Sequence, residues 1–169
     1  RDALAELAFA MQHQGEAITF EAKVARATLP TVVDYDGEAV RVNPADILRL
    51  ARGATILDPN SAPDVRFFHQ LLQEYFAALE LLKRFEEGEE LSHLWRAKRL
   101  ATEMPPSEVG EWDALPEAPA TGWETTTILT CGLARDPARL IETLRPLNPV
   151  LAGRCIDESG IEKPAVVLE

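Results

Sequence analysis

Residues 65–79 read VRFFHQLLQEYFAAL and join a short β-prone run to a helical pattern. Apolar side chains recur here at spacings of three and four residues, the period of an α-helix with one broad buried face. We therefore predict a helix over about residues 69–85 that ends at the acidic run of residues 86–90. The side chains expected to be core are Leu72, Tyr75, Phe76 and Leu79.

Three shorter helices are predicted upstream. The first has its apolar positions within residues 4–11 and ends at Gly15, which tolerates the left-handed conformation of a helix terminus. The second covers residues 20–27. The third covers residues 43–53, where Asn43-Pro44 supplies a cap and a first-turn proline.

Two segments carry strand signals. Residues 29–42 contain Asp36-Gly37 and are open to two interpretations, an irregular loop or a weak hairpin. Residues 54–57 and 65–68 are β-prone and joined by a turn-rich link, which predicts a β-hairpin. Three short helices followed by a hairpin is the order of a winged helix. Residues 1–86 are thus expected to form a winged-helix regulatory module with a small hairpin.

A connecting region is predicted at residues 87–122. It contains a helix at about residues 91–102 and a loop rich in Pro and Gly at residues 104–122. Three tryptophans are expected to anchor that loop: Trp95, Trp112 and Trp123.

Residues 123–169 are expected to begin a helical-repeat region. Asp136-Pro137 and Asn148-Pro149 each provide a cap and a first-turn proline, and another helix is expected near Lys163-Pro164. Short links force successive helices to pack as antiparallel neighbours, as in HEAT-like arrays. The predicted fold class is therefore mainly α. The helices expected here span residues 123–134, 137–145 and 149–159.

Residues 67–78 resemble the end of the winged-helix module of bacterial NACHT-type ATPases of the STAND class. In that family an aromatic-x-His pair precedes Gln-Glu-aromatic-Phe-Ala-Ala. The matching residues are Phe67, His69, Gln73, Glu74, Tyr75, Phe76, Ala77 and Ala78. The upstream helices agree with this family, so the resemblance covers roughly the first 86 residues. Residues 148–152, Asn-Pro-Val-Leu-Ala, are similar to a helix opening in the region that follows in many bacterial members.

The resemblance implies a signalling protein whose upstream P-loop domain binds ADP or ATP with magnesium, and bacterial defence is one role that it suggests. It implies that the winged helix folds back on that domain and that His69 meets the β-phosphate of ADP, where a γ-phosphate would displace it. The partners implied are the ATPase domain of the same polypeptide, downstream sensor repeats and other proteins. The other interpretation of His69 is a polar residue at a strand–helix junction that caps the helix.

The chain contains no complete enzyme site of its own. It has no Gly-x-x-x-x-Gly-Lys-[Ser/Thr] and no hydrophobic strand ending in paired acids, so we predict a non-catalytic fragment that holds no cofactor alone. Gln73 and Glu74 are adjacent on a helix and would point about 100° apart. His13 and His93 are expected to be surface side chains without ligand partners.

Composition limits the binding partners and the cellular compartment that can be expected. The net charge of −11 from 28 acidic and 17 basic residues argues against nucleic acid, and no apolar run approaches the roughly 20 residues of a membrane span. Cys131 and Cys155 lie in apolar helical patterns, which predicts buried reduced thiols and a cytoplasmic protein. Because the chain begins at Arg1 within a helical pattern, we expect it to be cut from a longer polypeptide.

Two other functions remain open. One is a DNA-binding winged helix that reads DNA with residues 43–52 through Arg49 and Arg52; Asp46 on the same helix opposes it. The other is a helical-repeat scaffold that binds protein independently of nucleotide.

Overall fold

The computed structural model describes residues 1–15, 19–96 and 120–160. These residues form a mainly α fold with eight α-helices and a two-stranded antiparallel sheet. In chain order the elements are α1 Asp2–His13, α2 Ala22–Thr28, β1 Val32–Tyr35, β2 Glu38–Arg41, α3 Pro44–Gly53, α4 Gln70–Glu86, α5 Ser92–Trp95, α6 Glu124–Leu133, α7 Pro137–Leu144 and α8 Pro149–Glu158. A single 3-10 turn, Pro59–Ser61, lies between α3 and α4.

The three Asx-Pro signals begin helices as predicted. The side chain of Asn43 accepts a hydrogen bond from the backbone N–H of Ala45 at 3.0 Å, and that of Asn148 accepts from Leu151 at 3.0 Å. Asp136 caps α7 through Arg139 with a longer bond of 3.4 Å. Each cap satisfies an N–H that the helix itself leaves unpaired, while the proline that follows has none to satisfy.

The sheet lies at residues 32–41, so the hairpin interpretation of that segment is confirmed. Asp36 and Gly37 both have positive φ, 53° and 82°, as a two-residue turn between twisted strands requires. The hairpin predicted at residues 54–68 is wrong in extent, because only the bridge between Leu57 and Phe67 forms there. Its link folds into the 3-10 turn capped by Asp58. Val65 pairs instead with Phe20, through two backbone hydrogen bonds of 2.8 Å.

Helix α4 contributes to both hydrophobic clusters of the described residues. Its first half contributes Phe76 and Ala77 to a cluster that also contains residues of α1, α2 and α3, and the ring centroids of Phe76 and Phe67 are 5.8 Å apart. Its second half packs Leu81 and Phe85 against α5 and the helices of residues 124–158. Helix α4 therefore connects the two hydrophobic clusters.

The predicted core stripe of α4 is partly wrong. Phe76 is buried and Leu72 and Leu79 are half-buried, whereas Tyr75 is 38% exposed. Neighbouring residues on a helix point about 100° apart, so Phe76 and Tyr75 do not both face the core. The phenolic hydroxyl of tyrosine also favours a position with access to water.

The helix predicted at residues 91–102 is interrupted at Arg96. Helix α5 ends at Trp95, because Arg96 has an extended backbone (φ −61°, ψ 111°). The rest of the helix predicted at residues 91–102, the loop with Trp112 and the helix near Lys163 lie outside the described residues. Trp95 and Trp123 are buried in the second cluster, and residues 120–160 contain no strand.

Candidate functional site

His69 occupies the N-cap position of α4, a helix of 17 residues. Its backbone is extended (φ −132°, ψ 143°), and its carbonyl accepts hydrogen bonds from Leu72 and Gln73 at 3.0 and 3.3 Å. The imidazole makes no capping hydrogen bond and is exposed. His69 thus lies at the junction before α4, as the alternative interpretation expects, but its side chain does not cap the helix. The ring can meet a group from outside the described residues.

The start of α4 carries the partial positive charge of a helix N-terminus. Its first turn contains no acidic residue and no side-chain cap, so the leading N–H groups remain available as donors. Glu74, one turn further along, accepts a hydrogen bond from Gln70 at 2.9 Å. Together with an imidazole N–H, such donors suit a phosphate or carboxylate.

An exposed apolar strip lies beside His69. It consists of Phe68, Leu71 and Tyr75, which are 44%, 61% and 38% exposed. Leu71 and Tyr75 lie one turn apart on α4, and Phe68 precedes the helix. The Phe68 ring contacts the imidazole edge-on, with centroids 4.6 Å apart. Apolar side chains grouped in this way favour contact with another protein surface. Sequence reasoning placed Tyr75 in the core and so missed the strip.

His13 and His93 lie together although 80 positions separate them in the sequence. Their ring centroids are 5.8 Å apart with planes at 86°, and the Trp123 ring is 6.5 Å from His13. Both are exposed, as predicted. The nearest carboxylate oxygen to His93 Nδ1 is that of Glu90, at 4.0 Å. Within the described ranges, no group of three or more His, Cys, Asp and Glu is placed to hold a metal ion.

The arginines proposed to read DNA are engaged within the protein. Arg49 forms an ion pair with Asp46 at 3.0 Å on the surface of α3. Arg52 donates to the carbonyls of Asp64 and Pro63 at 2.8 and 3.4 Å. Asp46 therefore offsets the charge of Arg49, and the Arg52 guanidinium is held against the backbone of residues 63–64.

A cleft of about 360 Å³ lies between α1, the hairpin and α3. Its walls are mainly apolar, with Ile47 and Leu50 from α3. Its carboxylates are Asp2, which pairs with Arg1 at 3.2 Å, and Asp34, which accepts a hydrogen bond from the turn residue Gly37 at 3.1 Å. Both carboxylates are therefore already engaged with neighbouring groups.

Side-chain hydrogen bonds tie α6 to the first half of the chain. The amide group of Gln12, on α1, donates to the Gly122 carbonyl at 2.6 Å and accepts from the Thr126 hydroxyl at 2.9 Å. The Thr130 hydroxyl donates to the Thr126 carbonyl within α6 at 2.8 Å and also reaches the Ala78 carbonyl of α4 at 3.3 Å. The α6 helix is thereby fixed to both α1 and α4. These residues were not identified from the sequence, because isolated threonines in a helical pattern carry no sign of their partners.

No helix of the described residues is long and apolar enough to cross a membrane. Comparison of the chain with known protein families, curated proteins and solved structures found no significant match.

Proposed function

We propose that this chain is the non-catalytic, nucleotide-sensing part of a STAND-class NTPase of NACHT type, and that it holds an ATPase domain of the same polypeptide in its ADP-bound state. The observation that carries the proposal is the position of His69. Within the aromatic-x-His and Gln-Glu-Tyr-Phe-Ala-Ala pattern, it lies exposed at the uncapped start of α4.

The proposed chemistry needs only donors aimed at a phosphate. An imidazole N–H donated to an anionic oxygen is a charge-assisted bond that stabilises the closed state by about 1.5–3 kcal/mol. The dipole of α4 adds a further favourable term for negative charge at the same end. A γ-phosphate would need the space that His69 occupies, so ATP would open the module and ADP would keep it closed.

The strip of Phe68, Leu71 and Tyr75 supports this arrangement. If the ATPase domain covers these side chains, their burial excludes water around His69. A hydrogen bond to phosphate is stronger where water is excluded, because the local dielectric constant falls. The strip then closes the module, while His69 makes that closure depend on the nucleotide.

The order of the secondary-structure elements supports the winged-helix and HEAT-like assignments in part. Helices α1 to α3 and the Leu57–Phe67 bridge precede α4, as the winged-helix interpretation expects, whereas the hairpin β1–β2 lies between α2 and α3 and not after α3. Helices α6, α7 and α8 are joined by short links and share one core, which suits the start of a HEAT-like array. In this proposal the array transmits a signal from downstream repeats, and the whole protein works in the cytoplasm.

A protein-binding helical-repeat scaffold is the second candidate. It is favoured by Leu133 and Val150, which are 39% and 68% exposed on α6 and α8. Such a scaffold would need neither His69 nor nucleotide. A DNA-binding winged helix is less favoured, because Arg49 and Arg52 are engaged within the protein.

The test is the nucleotide content of the intact polypeptide. We expect the purified protein to release close to one ADP per chain on denaturation, measured by ion-exchange chromatography. The 169-residue chain alone should bind neither ADP nor ATP in calorimetry, because one histidine cannot hold a nucleotide. An intact protein that carries no nucleotide, or an isolated chain that binds one with a micromolar constant, would overturn the proposal.

A further inference from the structure

The chain has two cysteines, and the fold brings them together. Cys131 lies on α6 and Cys155 on α8. Both are free thiols with no exposed surface, and both belong to the second hydrophobic cluster. A single buried cysteine usually behaves as a small apolar side chain. Two that meet from separate helices form a dithiol, which has a chemistry of its own.

The thiols of Cys131 and Cys155 lie within hydrogen-bonding reach of each other. The helices approach closely beside them, because a Cβ atom built on Gly132 would lie 2.8 Å from the Ser159 carbonyl oxygen. The Ser159 hydroxyl donates to the Cys155 carbonyl and also lies within hydrogen-bonding reach of the Cys131 sulfur. The absence of a side chain at Gly132 thus allows α8 to hold Cys155 against Cys131.

The environment makes Cys131 the better nucleophile of the pair. The hydrogen bond with Cys155 lowers the pKa of Cys131, and the Ser159 hydroxyl lowers it further against the opposing effect of burial. The hydrogen bond with Cys131, together with burial, raises the pKa of Cys155. One thiolate stabilised by a neighbouring thiol is the arrangement found in Cys-x-x-Cys redox sites.

We propose that Cys131 and Cys155 form a reversible, redox-controlled disulfide that links α6 to α8, with a small disulfide of the glutathione type as the oxidant. The Cys131 thiolate attacks one sulfur of that disulfide, which gives a mixed disulfide and releases one small thiolate. Cys155 then loses its proton and attacks the Cys131 sulfur, which releases the second small thiolate. The protein gives up two electrons and two protons, and the small disulfide is reduced to two thiols.

The disulfide would attach α8 to α6, which is itself held to α1 and α4. Helix α6 is held to α1 by Gln12 and to α4 by Thr130. Helix α8 is connected to α1 and α4 mainly through α6, and Asn148 at its start donates a hydrogen bond to the Trp95 carbonyl. The disulfide would join α8 covalently to the fixed part. Because both sulfurs are buried, exchange requires a local opening and should be slow in the folded state.

The experiment exposes the folded, reduced chain to glutathione disulfide without denaturant, followed by acid quenching and mass spectrometry. We expect a product that is lighter by two hydrogen atoms, without a glutathione adduct. Its melting temperature should be higher by roughly 6–12 °C, because the link restricts the unfolded chain. Dithiothreitol should restore the original mass and melting temperature.

Cys131→Ala and Cys155→Ala serve as matched controls, since each removes one sulfur and leaves the other buried. Neither should give the lighter product, and circular dichroism should show both folded. The proposal is overturned if the native chain gives only glutathione adducts, if it reacts only in denaturant, or if the disulfide form melts below the reduced form.

Discussion

Gly132 and Gly153 provide a test of how closely the C-terminal helices pack. Both glycines lie within helices, Gly132 in α6 and Gly153 in α8. A Cβ atom on Gly132 would lie 2.8 Å from the Ser159 carbonyl oxygen, about 0.6 Å inside the 3.4 Å at which ordinary contact begins. A Cβ atom on Gly153 would have no atom within 4 Å.

The two substitutions should therefore change stability in opposite directions. Replacing a helical glycine by alanine gains about 0.5–1 kcal/mol through lower unfolded-state entropy. Gly153→Ala should realise that gain. Gly132→Ala should lose more than it gains, because pushing a backbone carbonyl away from a packed helix costs about 1–3 kcal/mol.

The assay is urea denaturation followed by circular dichroism, with both variants measured beside the unmodified chain. We expect the free energies of unfolding of the two variants to differ by about 1–3 kcal/mol, with Gly132→Ala the less stable. The m-value should remain constant, since neither change alters the surface exposed on unfolding. Equal stabilisation by both substitutions would refute the close approach of α8 to Gly132.

Three further predictions concern other parts of the fold. Phe76→Ala should lower the free energy of unfolding by about 3–5 kcal/mol in urea titration, and Tyr75→Ala by much less, because only Phe76 is buried. Asn148→Ala should cost about 1–3 kcal/mol by thermal melting, since it removes both the cap of α8 and a buried hydrogen bond to the Trp95 carbonyl at the end of α5. The hydrogen bond from Arg66 lowers the pKa of Asp58; its stabilisation should be present above about pH 4 and fade as pH falls below that. Asp58→Asn should thus flatten that decline in an acid titration followed by circular dichroism.

Local signals in the sequence predicted the helices well because their causes are local. Asn43, Asp136 and Asn148 each satisfy an N–H group two or three residues away, so the cap is visible in the sequence itself. The turn at Asp36-Gly37 has the same local character. The sequence does not decide between a weak hairpin and a loop at that turn, since the same residues are compatible with both.

Contacts between distant segments could not be predicted from the sequence. The backbone of Val65 could pair with the strand expected before it or with any other free edge, and it pairs with Phe20. The approach of His13 to His93, and of Cys131 to Cys155, depends on how whole helices pack. The exposure of Tyr75 depends on which side of α4 the neighbouring helices occupy. None of these outcomes is fixed by spacing along one segment.

The proposed nucleotide sensing depends on His69, and the rate at which the intact protein loses ADP tests this role directly. If the imidazole bond to phosphate stabilises only the closed state by about 2 kcal/mol, its removal shifts the closed-to-open ratio about 30-fold. His69→Ala should therefore release a fluorescent ADP analogue about 30-fold faster in stopped flow, with an unchanged melting temperature of the nucleotide-free protein. His13→Ala, which removes another exposed histidine, should release it at the original rate. Equal release rates for all three proteins would contradict the assignment of His69 as the nucleotide sensor.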